Sequence, residues 1–397
     1  MNDVLKNTKI LVVTTVPETI KAFLLPQLAS LCARGCEVHV ATGAGCELPE
    51  LASLGVVEHR LSLTRHISPV KDWKALWEMV RLCRRFRFDL VHSHTLKASL
   101  IGQLAARVTS VPVRLETAHG TRYMSDLPFV VREVIIWSEQ IAARKVHHLW
   151  VLNQEDYELF RKRHVARPEV LEIIGEGGIG VDIHQFRPCL LTIEHRKEYQ
   201  QNLGLPRESL VVGFVGRLVR DKGVLELTEA WPEVVEAIPT AYLLIITAKL
   251  VSERSSELVS ESRLRQLPNT VLLSNRSDMP YLYNCMDLLV LPSYREGFSR
   301  VIVEASACGV PVVASDVRGC RDAVVDGQTG ILIQPRLPEE LASAVRNLLL
   351  DKSKRINMGQ LAREHALRYF NQDEVINHIN QSYIELLRKH TKNRIDW

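Results

Sequence analysis

No stretch of this 397-residue sequence holds about 18 consecutive apolar residues, so a membrane-spanning helix is not expected. Apolar runs such as Leu288–Leu291 have the length of buried strands. The N-terminus lacks a basic region followed by an apolar stretch and a small-residue cleavage site, and no signal peptide is expected. The eight cysteines form no CxxC pair, which fits buried thiols in a reducing, cytoplasmic setting better than a disulfide framework. Charge of one sign is scarce: 50 Lys and Arg against 46 Asp and Glu leave a surplus of +4, too weak for a nucleic-acid footprint. There is no Asp-x-Asp pair to hold a divalent ion against a diphosphate, no GK[ST] loop, no GxSxG elbow and no kinase motif set. Internal repeats and low-complexity tracts are absent as well. What is present, 46% hydrophobic and 24% charged residues, is ordinary globular usage and excludes disorder.

Short apolar runs alternate with helix-length amphipathic segments. Lys9–Thr15, Glu37–Thr42, Asp89–His92, Val113–Thr117 and His148–Leu152 form one series of expected strands, with a helix through Ala22–Arg34. Leu210–Val215, Tyr242–Thr247, Thr270–Leu273, Leu288–Leu291, Val312–Ala314 and Gly330–Ile333 form a second. Continuous strands alternating with helices indicate parallel sheets covered on both faces. Two series give an α/β protein of two Rossmann-like, doubly wound domains. The boundaries are read as 1–180, 181–372 and a C-terminal helix, 373–397, that returns to the first domain. The glycines of Gly175–Gly180 read as a hinge rather than a dinucleotide site, because no convincing helix follows. Trp73–Phe88 reads as a largely buried helix with a solvated basic stripe; a membrane-binding helix is the alternative.

Three segments can carry chemistry. In Gly213–Gly223 a strand runs into a glycine turn and then a helix, placing Arg217 and Lys222 beside a strand's carboxyl end and a helix N-terminus. Both features favour a phosphate, although two solvated charges would read the same way. In Tyr294–Ala305, Glu296 follows a strand, Gly297, Phe298 and Ser299 offer amides, and Glu304 lies slightly more than two helical turns on. Two carboxylates and an amide nest could grip sugar hydroxyls and a phosphate; a dipole-favouring Glu and an exposed Glu are the plainer alternative. His119 ends a third strand, and His92-Ser93-His94 follows another; two histidines alone make a poor zinc site.

Taken together, EGFSRVIVEASACGVPVVASD and GRLVRDKG resemble the retaining glycosyltransferases of glycosyltransferase family 4, which have the GT-B fold of two Rossmann-like domains facing across a cleft. TTVPETIKAFLLPQL, RHISP, DLVHSHTLKASLIGQLAARV and TAHG are similar to a narrower group acting on lipid-diphosphate-linked sugars in capsule, O-antigen and protein-glycan assembly, including bacillosaminyl-diphospho-undecaprenol N-acetylgalactosaminyltransferase-like enzymes. By position, the resemblance implies that Arg217 and Lys222 neutralise the diphosphate of a nucleotide-sugar donor, a UDP-sugar, and that Glu304 bonds its ribose. Glu296, with the Gly297, Phe298 and Ser299 amides, would hold the transferred sugar, an N-acetylhexosamine in the narrower group. His119 would lie against that sugar's 6-hydroxyl, Arg276 and Met279 would flank the base, and Pro17, His94 and Tyr123 would face the acceptor. No metal and no cofactor are implied. The partners are the donor, a polyprenyl-diphosphate-linked saccharide and the inner face of the cell membrane, where the enzyme would be peripheral. Val16-Pro17-Glu18 stands where many members carry a glycine pair, and Ser274 where a glycine commonly precedes the base loop. A soluble acceptor and nucleotide-sugar epimerisation are the competing activities.

Overall fold

The computed structural model describes residues 4–64, 66, 68–119, 129–174, 180–188, 190–247 and 261–391. The chain divides into two compact units, Met1–Gly178 with Asp373–Trp397, and Ile179–Gln372.

The first unit is built on seven strands: β1 (Lys9–Val13), β2 (Glu37–Thr42), β3 (Val57–Arg60), β4 (Leu90–His94), β5 (Val113–Ala118), β6 (His148–Val151) and β7 (Leu171–Ile173). Every pairing is parallel, and the order is β3-β2-β1-β4-β5-β6-β7. Helices cover both faces, so central strands are apolar throughout; in β1 four of five residues are buried. One core gathers Leu11, Val13, Met79, Phe88 and Ile101 under the helices Pro69–Phe86 and Leu96–Val108. Another gathers Ile136, Leu149 and Phe160. The helix Gln372–Thr391 belongs to this unit from Asp373 onward. Its Tyr383 is fully buried, accepts from Gln27 Nε2 at 2.9 Å and meets His92 Nδ1 at 2.5 Å.

The second unit holds β8 (Leu210–Val215), β9 (Ala241–Thr247), β10 (Thr270–Ser274), β11 (Leu288–Leu291), β12 (Val312–Ser315) and β13 (Gly330–Ile333). These are again all parallel, in the order β10-β9-β8-β11-β12-β13. Phe214, Trp231, Leu243 and Leu288 lie at the centre of its core. Where the two chain crossings meet, the Val181 amide donates to the Phe370 carbonyl at 2.8 Å and the Gln372 amide to the Val181 carbonyl at 3.1 Å. Gly180 is needed there, since a Cβ would lie 2.3 Å from Gln372 Cα. Gly175–Ile179, the rest of the expected hinge, lie outside the described residues.

Three expectations are corrected. The strands β3 and β7 were not foreseen: three of the four residues of VEHR are polar, and LEI is three residues long. Secondly, helix begins at Pro17 rather than near Ala22, passing through a π turn at Ile20–Leu24 before Leu25–Ala33. Thirdly, Pro69–Phe86 is not largely buried: Trp73 is 74% and Trp77 54% exposed, and only Ala75, Met79, Leu82 and Cys83 are buried. No described helix is long and apolar enough to cross a membrane. The seven cysteines among the described residues are all free.

Candidate active site

In the second unit the order of strands reverses between β8 and β11, so the loops leaving these neighbours depart to opposite sides and open a crevice at their carboxyl ends. Arg217 and Lys222 lie on the loop after β8, and Glu296 lies on the loop after β11. One glycine brings the two loops together. Gly223 has φ +68°, and a Cβ there would lie 1.9 Å from the Pro292 carbonyl oxygen, so no side chain fits. The Tyr294 amide then donates to the Asp221 carbonyl at 2.8 Å.

Lys222 Nζ donates to Glu296 Oε1 at 2.6 Å, and Ser293 Oγ donates to the same oxygen at 2.8 Å. Both charged side chains are largely buried. Asp221 sits between two further cations, with Arg295 Nη2 at 3.0 Å and Arg217 Nη2 at 3.9 Å. The crevice therefore holds a cation-rich wall and a carboxylate whose position is fixed by two donors. Arg217, half-exposed, is the more reachable cation; Lys222 is held by the carboxylate.

Glu304 lies within the helix Arg300–Ala307 and is buried, not exposed further along the helix. Arg300 Nε donates to its Oε1 at 2.7 Å, and Tyr283 OH donates to its Oε2 at 2.9 Å. Burial raises its carboxyl above the usual range while Arg300 opposes that shift. The sequence reading missed both partners: Arg300 stands four residues before Glu304, a spacing that a helix brings together, whereas Tyr283, from the preceding helix Met279–Asn284, carried no signal. Of the three amides expected from Gly297, Phe298 and Ser299, that of Ser299 donates to the Gly319 carbonyl at 3.3 Å, so the nest is smaller than expected. The Phe298 ring is buried edge-on against Phe370, 5.6 Å between centroids.

Arg276 and Met279 flank the carboxyl end of β10. Arg276 Nε donates to Asp278 Oδ1 at 2.8 Å, and Tyr199 OH also donates to Asp278. The guanidinium holds the Asp278 carboxyl down to about 2, and burial followed by Asp278 pushes Tyr199 up to about 12. Neither Tyr199 nor Asp278 was singled out in the sequence.

The first unit carries its own group at the carboxyl ends of β1, β4 and β5, around the reversal between β1 and β4. Pro17 opens the helix after β1, and Thr15 Oγ1 bonds Thr95 Oγ1 at 2.6 Å. His94 Nδ1 and His119 Nε2 are 2.8 Å apart, with Phe23 stacked 6.0 Å from His119. Burial pushes His119 down to about 4 and His94 well below its usual value, so both rings are neutral near pH 7. His119 Nδ1 and His94 Nε2 have no partner among the described residues. That leaves the pair one hydrogen-bonding atom each for an incoming group. His92 differs: Tyr383 and Thr117 occupy both its nitrogens, so it is structural. Tyr123 lies outside the described residues, as do Thr121–Pro128 generally.

Residues 20–177 match the family model described as glycosyl transferase 4-like domain, and residues 195–365 match glycosyl transferases group 1. A capsular polysaccharide biosynthesis glycosyltransferase, CapM, of Staphylococcus aureus is 28% identical over 97% of this chain and 99% of that protein. A UDP-Gal:alpha-D-GlcNAc-diphosphoundecaprenol alpha-1,3-galactosyltransferase of Escherichia coli is 30% identical over 82% of this chain and 83% of that protein. Among solved structures, Anabaena HepE in complex with UDP-glucose has TM-score 0.78 at 21% identity, covering 95% of this chain and 99% of that one. The lipopolysaccharide glycosyltransferase WaaG has TM-score 0.71 at 18% identity, covering 94% and 98%. The chain is thus an enzyme of the glycosyltransferase family with the GT-B fold, a glycosyl transferase 4-like domain preceding a group 1 glycosyl transferase domain.

Proposed function

We propose that this enzyme is a retaining glycosyltransferase that moves a sugar, of the N-acetylhexosamine or hexose class, from a UDP-sugar to a lipid-diphosphate-linked saccharide in cell-surface glycan assembly. The observation that carries the reading is the Lys222–Glu296 pair at the strand reversal of the second sheet, 2.6 Å apart and flanked by Arg217. A nucleoside diphosphate brings negative charge that Lys222 and Arg217 can take up. As Lys222 turns to the diphosphate, Glu296 is freed to accept hydrogen bonds from sugar hydroxyls. The glycosidic bond then breaks with charge accumulating on the leaving diphosphate, and preorganised cations stabilise that charge. Same-face attack, with the diphosphate assisting, gives retention. His119, neutral and with Nδ1 unpartnered, is suited to a sugar hydroxyl rather than to proton transfer at a charged centre. Relatives named for diphosphoundecaprenol-linked acceptors, from Escherichia coli and Campylobacter jejuni, support the acceptor class.

The reading includes a peripheral position on the membrane's inner face. Val70, Trp73 and Trp77 are exposed on the helix Pro69–Phe86, beside exposed Lys71, Lys74, Arg81, Arg84 and Arg85. Phe129 and Val130, which could have faced the core, are 67% and 70% exposed, as is Trp137 to a similar degree on the same helix. Apolar side chains ringed by cations suit an anionic bilayer.

The test is a product assay with a panel of UDP-sugars, each with and without a polyprenyl-diphosphate-linked saccharide, in EDTA. Product on the lipid carrier with retained anomeric configuration is expected. Isomerised donor formed without acceptor would point to epimerisation, transfer only to soluble saccharide would remove the lipid acceptor, and loss of turnover in EDTA restored by Mg²⁺ would overturn the cation arrangement.

A further inference from the structure

The groups discussed so far occupy the carboxyl ends of the strands. At the opposite edge of the seven-stranded sheet, the turns leading into β5 and β6 border an open cavity of about 530 Å³, lined in part by Leu104, Val111, Arg107, Arg114, Lys145 and His147. Arg114 frames it. Its Nε donates to the Lys145 carbonyl at 2.6 Å, Nη1 donates to the Val111 carbonyl at 2.9 Å, and Nη2 meets His147 Nε2 at 2.9 Å. A guanidinium has five N–H donors, so two remain. The Arg114 amide points at His147 Nδ1, 3.2 Å away. Both ring nitrogens of His147 therefore face donors, and in either neutral tautomer one of these contacts sets N–H against N–H.

Positive charge accumulates here, and no carboxylate among the described residues pairs with it. Among the described residues, Arg107, Arg114 and Lys145 enter no ion pair. Carbonyl oxygens, that of Lys145 among them, can hold Arg114 in place, but they bring no net charge, and the side chains of Arg107 and Lys145 take no part in that clamp. His390 stacks on His147 at 4.1 Å, with Lys389 beside it. The neighbours feel one another. Burial, and then Arg107, lower Arg114, while burial, and then Arg114 with His390, His148 and Lys389, push His147 down to about 3. The remaining wall is formed by Leu104, Val108, Ser110, Val111 and Pro112, apolar apart from Ser110.

We propose that this cavity is an anion site that takes a phosphate group, carried either by a soluble phosphate or diphosphate or by an anionic lipid headgroup. Arginine with free N–H donors on a planar fork is the side chain suited to a phosphate oxygen pair, and a bound anion would cancel the mutual repulsion of Arg107, Arg114 and Lys145.

Pyrophosphate, titrated at ionic strength held constant with NaCl, is the probe, and thermal unfolding and calorimetric heat are the readouts. The wild-type midpoint should rise by several degrees with pyrophosphate beyond any effect of NaCl. Arg107→Gln and Lys145→Gln break no hydrogen bond, so each should fold normally and lose about tenfold in affinity. Lys145→Glu supplies the missing carboxylate; at low salt it should melt above the wild type and lose the pyrophosphate response. All these variants are compared in a Lys222→Ala background, which weakens the donor crevice and should keep the response of this cavity. Vesicles of phosphatidylglycerol identify the carrier. Recruitment lost in the Arg107→Gln, Lys145→Gln double variant assigns a lipid phosphate, and recruitment kept while the pyrophosphate response is lost assigns a soluble one. A response to pyrophosphate no larger than that to NaCl, with vesicle recruitment unaffected by the double variant, overturns the site. So does a pyrophosphate response that survives both substitutions.

Discussion

Glu296 shares its charge with Lys222 and Ser293, and that sharing sets what its substitution does. Glu296→Gln keeps shape but removes the charge, leaving Lys222 without its partner. Turnover should fall roughly 10- to 150-fold, the worth of a charged hydrogen bond, while Glu304→Gln should chiefly raise the donor KM. Unchanged steady-state kinetics in both variants would remove the proposed donor site. The two carboxylates, and Arg217 with Lys222, were readable because each pair follows a strand's carboxyl end and is local in the sequence. The partners Tyr283, Ser293 and Asp221 were not, since tertiary packing alone brings them in. Glu116 shows the same blindness. It ends up buried in β5, one carboxylate oxygen has no partner among the described residues, and burial pushes its carboxyl up to about 7 from 4.5. Between these values the unfolded chain has already lost the proton that the folded chain keeps. Stability therefore falls as pH rises from about 4.5 to 7, by at most about 3 kcal/mol, and then levels off. In Glu116→Gln this pH-dependent loss should vanish. Calorimetric midpoints between pH 5 and 8 decide it, and a slope equal to that of the wild type would refute the assignment.

At the scale of elements, periodicity located what is apolar on all sides and missed what is partly solvated. The central strands of both sheets were legible because burial on both faces demands continuous Val, Ile and Leu. β3 and β7 lie at the sheet edges, where only part of each strand needs covering, and their sequences carry too few apolar residues to stand out. The helix Pro69–Phe86 failed in the other direction. A helical wheel tells which side chains share a face, not whether another element arrives to cover it. Arg81 lies 4.5 Å over the Trp77 ring, so this exposed face is aromatic and cationic together. Trp73→Ser with Trp77→Ser should shift stability by no more than about 0.5 kcal/mol per site, as for other exposed positions. The double variant should nevertheless lose at least about tenfold in partitioning to anionic vesicles, given about 1.5–3 kcal/mol for each large side chain buried. Sedimentation of the folded variant equal to that of the wild type would take the membrane off this face.

For the whole molecule, the division into two units was visible in the two series of strands, while the junction of the C-terminal helix with the first sheet rests on Tyr383, which no local pattern marks. Tyr383→Phe strands His92 Nδ1 and the Gln27 amide, and should cost about 1–3 kcal/mol, lowering the first transition in thermal unfolding by several degrees. A midpoint unchanged from the wild type would show that the hydroxyl contributes nothing there. The same helix has a consequence for biosynthesis. The first unit is interrupted after Gly178 and resumes only at Asp373, with the second unit inserted between. A ribosome adding about 5–20 residues per second needs roughly 10–40 s to cross that insertion. During this interval the nascent first sheet lacks its final helix, and the Gln27 and His92 side chains wait without Tyr383, while the second unit emerges with all of its strands in hand. The chain therefore completes its later half first, and a stall before codon 373 leaves the earlier half exposed to chaperones and proteases.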